Sequence, residues 1–308
     1  MTAIFLHSGW RTGSTYVWSK FREAPGTLAF YEPFHELLGT HAGRILTFRS
    51  DPETSHHPPL AQPYFAEYLP LIDGDGVRHF EAGFSYRRFF LDPEDSDPGL
   101  ERYVGQLVEL GAESGLIPVL GFSRSLGRAG WLKHRFESVN ILVRRDPRAQ
   151  WASILHQRNR HQLSYFLINQ FLICGQNRDH PLIRPLIGVY DIPLVQTSSV
   201  NHDIAIYQRL FEEIGDSTGY LVFYYLWLVT QAQARPHADL VIDVDRLATD
   251  PAHRAATTEA IARETGLTLS FEDATVGHGI ERPALDHAGI EDYVKTLVAS
   301  TLMLPEEV

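Results

Sequence analysis

Short apolar runs alternate with longer amphipathic stretches along most of this chain, and the change of period between them marks the elements. Apolar runs at residues 4–7, 27–31, 118–122, 139–144 and 240–244 are four to six residues long and rich in Val, Ile, Leu and Phe, the signature of strands buried on both faces. Between them, apolar residues recur at helical spacing. Helices are predicted at 15–22, within 63–72, from Pro98 to a stop at Gly115, and from Pro147 to about His156. Further helices are expected at 203–214, 218–234, from Pro251 to Thr265 with Gly266 as its stop, and at 290–300. Asp97, Asp146 and Asp250 each precede a Pro, which sets a capping carboxylate before a first helical residue needing no amide donor. In the helix after Pro98, the residues Tyr103, Val104, Leu107, Val108 and Leu110 form the expected apolar face. Residues 43–63 lack a period and read as a surface loop, Asp73 to Gly76 reads as a turn, and residues 160–200 give no clear pattern.

Strands alternating with helices predict an α/β fold with a mainly parallel central sheet flanked by helices in three layers. No internal repeat or linker divides the 308 residues, so the expectation is one domain over 1–308, with insertions at about 43–90 and 160–200. The run from Tyr220 to Val229 is about half the ~20 residues of a membrane span and reads as a buried helix. The start of the chain lacks a basic, signal-like region, so a cytoplasmic protein is expected.

The first candidate chemistry lies where the first strand ends. After Ile4, Phe5, Leu6 and His7 come Ser8, Gly9, Trp10, Arg11, Thr12, Gly13, Ser14 and Thr15, and then an amphipathic helix. A Gly-containing turn at a helix N-terminus offers backbone N–H groups and the positive end of the helix dipole to an anion. Ser14 and Thr15 are candidates both to cap the helix and to donate to phosphate oxygens, and Arg11 adds a permanent cation. The loop is not a Walker A sequence, because Ser8 replaces its first Gly and Ser14 its Lys.

Composition sharpens this picture. A net charge of -11 argues against nucleic acid as partner, so a phosphate ligand needs a local basic pocket. The single Cys174 rules out an intramolecular disulfide and reads as a core residue in a reducing compartment. His35 and Glu36 do not form a zincin pair, since Gly39 stands where the second His belongs. The fifteen His are mostly scattered singly, so no metal site is predicted.

A second phosphate-compatible stretch follows the strand at 139–144. Arg144 and Arg145 lead into the capped start at Asp146 and Pro147, and Ser153 lies eight residues after Arg145. Parallel sheets bind ligands at the carboxyl ends of their strands, and an Arg fork matches phosphate bidentately.

The order Arg11, Thr12, Gly13, Ser14, Thr15 resembles the 5′-phosphosulfate loop of sulfotransferases that use 3′-phosphoadenosine 5′-phosphosulfate (PAPS). Arg145 with Ser153 resembles the same family's 3′-phosphate motif. Tyr31, Glu32, Pro33, Phe34 and His35 are similar to the Phe-Glu-Pro segment of carbohydrate sulfotransferases. Phe122, Ser123 and Arg124 resemble the family's Val-Arg element, and Asp243 to Leu247 with Asp250 and Pro251 its Tyr-Glu-Asp-Leu…Asp-Pro element. The carbohydrate and bacterial small-molecule branch is nearest, because the loop cation is Arg.

The resemblance implies a P-loop-like sulfotransferase with PAPS as co-substrate and no metal. It implies cofactor binding by Arg11, Thr12, Gly13, Ser14, Thr15, Arg145 and Ser153, with Arg11 also stabilising the leaving group. An acceptor hydroxyl on a sugar or other small metabolite needs a general base, with Glu32 the first choice and His35 the second. Arg124 and Tyr86 are candidates for substrate contact, Tyr86 as part of an aromatic wall over 86–90, and a loop at 277–282 is a candidate for adenine. Two alternatives stay open: a P-loop-like nucleotide or small-molecule kinase, and a nucleotide-binding protein without catalysis.

Overall fold

The computed structural model describes residues 2–49, 60–189, 192, 194–210, 214–275 and 284–301. Strands β1 (Ala3–His7), β2 (Thr27–Tyr31), β3 (Ile117–Phe122), β4 (Ser138–Arg144) and β5 (Leu240–Asp243) form one sheet in the order β2-β3-β1-β4-β5. Every pairing is parallel; Phe5 lies opposite Leu120 on one side and Asn140 on the other. The fold is therefore α/β with a central parallel sheet between helical layers. All of β1 is buried, which is why its run is apolar without alternation.

The predicted helices form close to their expected limits, except within 63–72, where Pro70 allows only a 3-10 helix, Ala66–Leu71. They are α1 (Ser14–Glu23), α3 (Pro98–Glu113), α5 (Pro147–His161), α8 (Val200–Leu210), α9 (Asp216–Ala234), α11 (Pro251–Thr265) and α12 (His287–Thr301). Asp97, Asp146 and Asp250 each cap the helix they precede, accepting from Leu100, Ala149 and Ala252 amides. Asp243 also caps, accepting from the Arg246 amide, so Val244 begins a short helix α10 (Val244–Thr249) rather than ending the strand.

Other helices lacked a legible pattern. Helix α2 (Ala42–Thr47) forms where a loop is expected, because His41 Nδ1 accepts from the Gly43 amide and caps it. Helices α4 (Ala129–Arg135) and α7 (Arg184–Val189) are under two turns long. Helix α6 (Tyr165–Gln176) is buried at every residue from 167 to 176, and a helix covered all round shows no amphipathic period. Residues 50–59 of the expected surface loop lie outside the described residues.

Two apolar clusters make the interior. One surrounds the sheet, with Trp18, Phe21 and Tyr103 against Phe5, Leu120 and Val143. The other is helical, built on α9, where Tyr220 and Phe223 meet Trp151, Phe171 and Val294. Trp10, from the loop after β1, belongs to this second cluster, so that loop bridges the two. Tyr86, Phe89 and Phe90 belong there too. The aromatic patch expected to wall an acceptor site is core. Among the described residues no helix is long and apolar enough to cross a membrane.

At the end of β1, His7 is 1% exposed and lies 2.7 Å from both Ser125 Oγ and Asn140 Oδ1. Asn140 Oδ1 can only accept, so Nε2 carries the proton and Nδ1 accepts from Ser125. Burial pushes this imidazole down from 6.5 to about 4. A folded-state value below the unfolded one means that stability is full above pH 6.5 and is lost as pH falls towards 4. The gap corresponds to roughly 3 kcal/mol. Urea unfolding across this window should show that loss, and His7→Gln should flatten it; an unchanged slope would show that His7 is not the group responsible.

Candidate anion-binding and transfer site

The loop after β1 is tied down from behind. Ser8, fully buried, donates through its amide (3.1 Å) and its Oγ (2.7 Å) to the Phe122 carbonyl. Thr12 Oγ1 donates to the Gly9 carbonyl at 2.9 Å, Gln150 Nε2 to the Trp10 carbonyl at 2.7 Å, and an Arg145 terminal nitrogen to the Arg11 carbonyl at 3.2 Å. Three consecutive loop carbonyls are thus engaged. Arg11 (φ 63°) and Gly13 (φ 84°) both take the left-handed conformation. A Cβ on Gly13 would also lie 2.9 Å from Val244 Cγ1, so this position needs Gly for both torsion and space.

Gly13 is the N-cap of α1 and no side chain caps it. In the first turn the Tyr16 amide donates back to the Gly13 carbonyl at 3.1 Å. Ser14 and Thr15 are therefore first-turn residues and not caps, and Thr15 Oγ1 lies 3.0 Å from the Tyr31 hydroxyl. Thr12 is 1% exposed with its hydroxyl turned onto the loop, so it braces the turn rather than facing a ligand.

The two phosphate-compatible stretches converge, because β1 and β4 are neighbours. Arg11 Nε donates to Ser153 Oγ at 2.9 Å, while Arg145 holds the Arg11 carbonyl. Burial and the nearby charge of Arg145 push the Arg11 guanidinium down to about 10. Phe166 lies under this guanidinium, its ring centre 5.2 Å from Cζ. Asp245 Oδ1 accepts from Arg145 Nε at 3.3 Å and its Oδ2 from the Asp146 amide at 2.8 Å. The first turn of α10 thereby fixes both Arg145 and the start of α5.

Glu32 follows β2, two strands away from β1 with β3 between them. Its backbone is left-handed (φ 38°), and its amide donates to the Gly121 carbonyl at 2.8 Å. The side chain meets Arg124, the residue after β3 by two, and not Arg11: Arg124 donates to Glu32 Oε2 at 2.8 Å. The other terminal nitrogen of Arg124 donates to Glu36 Oε2 at 2.9 Å and to the Tyr165 hydroxyl. Tyr165 donates to Glu36 Oε1 at 2.8 Å. Burial pushes the Glu36 carboxyl up, but the Arg124 guanidinium and the Tyr165 hydroxyl outweigh it and hold it below the ordinary carboxylate value.

Arg124 is 0% exposed, so it cannot reach a substrate directly; it sets the position of Glu32. Tyr86 is equally buried, with its ring 5.6 Å from the Arg124 Cζ and its hydroxyl donating to Asn169 Oδ1 at 2.7 Å. Neither is on an open wall, because a desolvated guanidinium requires carboxylates and aromatic faces around it. His35 Nδ1 accepts from the Leu37 amide at 3.1 Å. The neutral ring therefore carries its proton on Nε2, and burial pushes it below the ordinary imidazole value.

Glu36 and Tyr165 complete the site without any motif of their own, the adjacency of Glu36 to His35 being the one hint, while Gln150 and Asp245 lie inside the Arg145–Ser153 and Asp243–Leu247 stretches. The candidate adenine loop at 277–282 lies outside the described residues. Among the described residues no group of three or more His, Cys, Asp or Glu is placed to hold a metal ion. No protein-family model, no curated protein and no solved structure matches this chain.

Removing the cation should expose how much rests on it. Arg124→Leu leaves Glu32 and Glu36 facing each other without a counter-charge and should cost about 3–5 kcal/mol in urea unfolding. Adding Glu36→Gln should recover part of this. A loss under about 1 kcal/mol would mean that the pair behaves as a surface ion pair.

Proposed function

We propose that this chain is a sulfotransferase, moving sulfonate from PAPS to a hydroxyl of a sugar or other small metabolite. The observation that carries this reading is the meeting of Arg11 and Ser153 at 2.9 Å, with Arg145 on the Arg11 carbonyl. These residues come from two separate stretches, each resembling one phosphate motif of the same family. Two guanidiniums held near each other, both partly withdrawn from water, favour an anionic ligand, since its charge relieves both repulsion and desolvation. The donor set fits a ligand with two anionic groups: the first-turn amides of α1 with Arg11 for one, Arg145 with Ser153 for the other.

In the transfer, the acceptor O–H bond breaks, an O–S bond forms, and the S–O bond to the 5′-phosphate breaks. Arg11 and the α1 amides stabilise the negative charge that grows on the phosphate. Glu32 takes the acceptor proton, and Arg124 fixes the orientation of its carboxylate. A cytoplasmic setting belongs to this reading and suits the single Cys174, a buried thiol pushed up to about 12.

Chemical denaturation with adenosine 3′,5′-bisphosphate tests the reading. At 100 times its dissociation constant the ligand should add about 2.7 kcal/mol, and Arg145→Ala should abolish the gain. Glu32→Gln should keep the stabilisation and lose transfer at least about 100-fold. Stabilisation by ATP with magnesium instead, or by none of these ligands, would overturn it.

A further inference from the structure

A cleft of about 800 Å³ opens where the end of α5 meets the start of α6, facing α8 and the start of α9. That is within the size range of small-molecule sites. Tyr165 lines it, and the same Tyr165 hydroxyl donates to Glu36 and accepts from Arg124. The next residue, Phe166, carries the Arg11 guanidinium on its ring. Two adjacent residues at the start of α6 thus join the cleft to the carboxylate network on one side and to the phosphate-compatible loop on the other.

We propose that this cleft is the acceptor site and takes an uncharged, hydroxyl-bearing molecule with an apolar face, such as an aryl glycoside. Its role as acceptor site rests on the sulfotransferase reading; its ligand class rests on the lining. Asn159, Gln162, Ser164 and Gln208 contribute neutral amides and a hydroxyl, groups that both donate and accept, as a ligand hydroxyl does. Ile168, Ile204 and Ile214 supply the apolar side, and Leu163, 41% exposed, extends it to the rim.

The formal charges that line the cleft cancel. Arg158 donates to Asp216 Oδ1 at 2.7 Å and through Nε to Asn159 Oδ1 at 2.9 Å. A carboxylate or ammonium entering the cleft would lose water and meet no unpaired counter-charge there. A sugar ring with an aromatic aglycone fits both sides: hydroxyls to the amides, ring faces to the isoleucines.

Calorimetric titration of the full chain tests this with phenyl β-glucoside, β-galactoside and β-mannoside against phenyl β-glucuronide, whose one change is a carboxylate. At least one neutral glycoside should bind about tenfold tighter than the glucuronide. Gln208→Leu and Asn159→Leu, at exposed positions, should each weaken that binding about tenfold and leave adenosine 3′,5′-bisphosphate binding unchanged. Glucuronide binding as tight as the glycosides, no glycoside binding, or glycoside binding indifferent to both variants would overturn the proposal. Bisphosphate binding without glycoside binding sinks the cleft proposal alone. Glycoside binding that responds to the variants, without bisphosphate binding, supports the ligand class and sinks the sulfotransferase reading.

Discussion

A guanidinium withdrawn from water has to be surrounded by groups that replace its hydration, and the placement of Arg124 organises the centre of this molecule. Its two terminal nitrogens bind Glu32 and Glu36 from the segment after β2 and Tyr165 from α6. Its Nε finds no acceptor among the described residues. The cation instead lies over the rings of Trp10 and Tyr86, 5.1 and 5.6 Å from their centres. Trp10 and Tyr86 belong to the helical cluster, while β2 and β3 belong to the sheet. The two apolar clusters therefore meet across one buried charge. Such an arrangement adds little net stability over an apolar packing, but breaking it from one side is expensive.

The strand ends around this cation carry backbone strain. Arg11 follows β1 and Glu32 follows β2, and both are non-glycine residues in the left-handed region. Each such residue costs on the order of 1–3 kcal/mol and persists only where its surroundings hold it. Arg11 is held by Arg145 on its carbonyl and Ser153 on its side chain. Glu32 is held by the Gly121 carbonyl and by Arg124. Both lie at the carboxyl edge of the parallel sheet, where open α/β sheets collect their ligands.

Electrostatics divides the molecule in the same place. The chain is acidic overall, with a net charge of -11, yet the junction of β1 and β4 brings the cations of Arg11 and Arg145 together, with Asp245 paired to Arg145.

The sequence by itself determined what depends on neighbours along the chain. The five strands, the Asp-Pro helix starts at Asp97, Asp146 and Asp250, and the Gly266 stop are local choices of torsion and capping, and they form close to where they are read. Helix α6 was illegible because burial on every side erases the period. Tertiary structure alone decided the pairings: β3 lies between β1 and β2, so Glu32 meets Arg124 instead of Arg11. Adjacency of β1 and β4 brought Ser153 to Arg11, 142 positions apart in the chain. Tyr86 went inside because the buried Arg124 needed an aromatic face, and no local pattern encodes a need created by a residue 38 positions later.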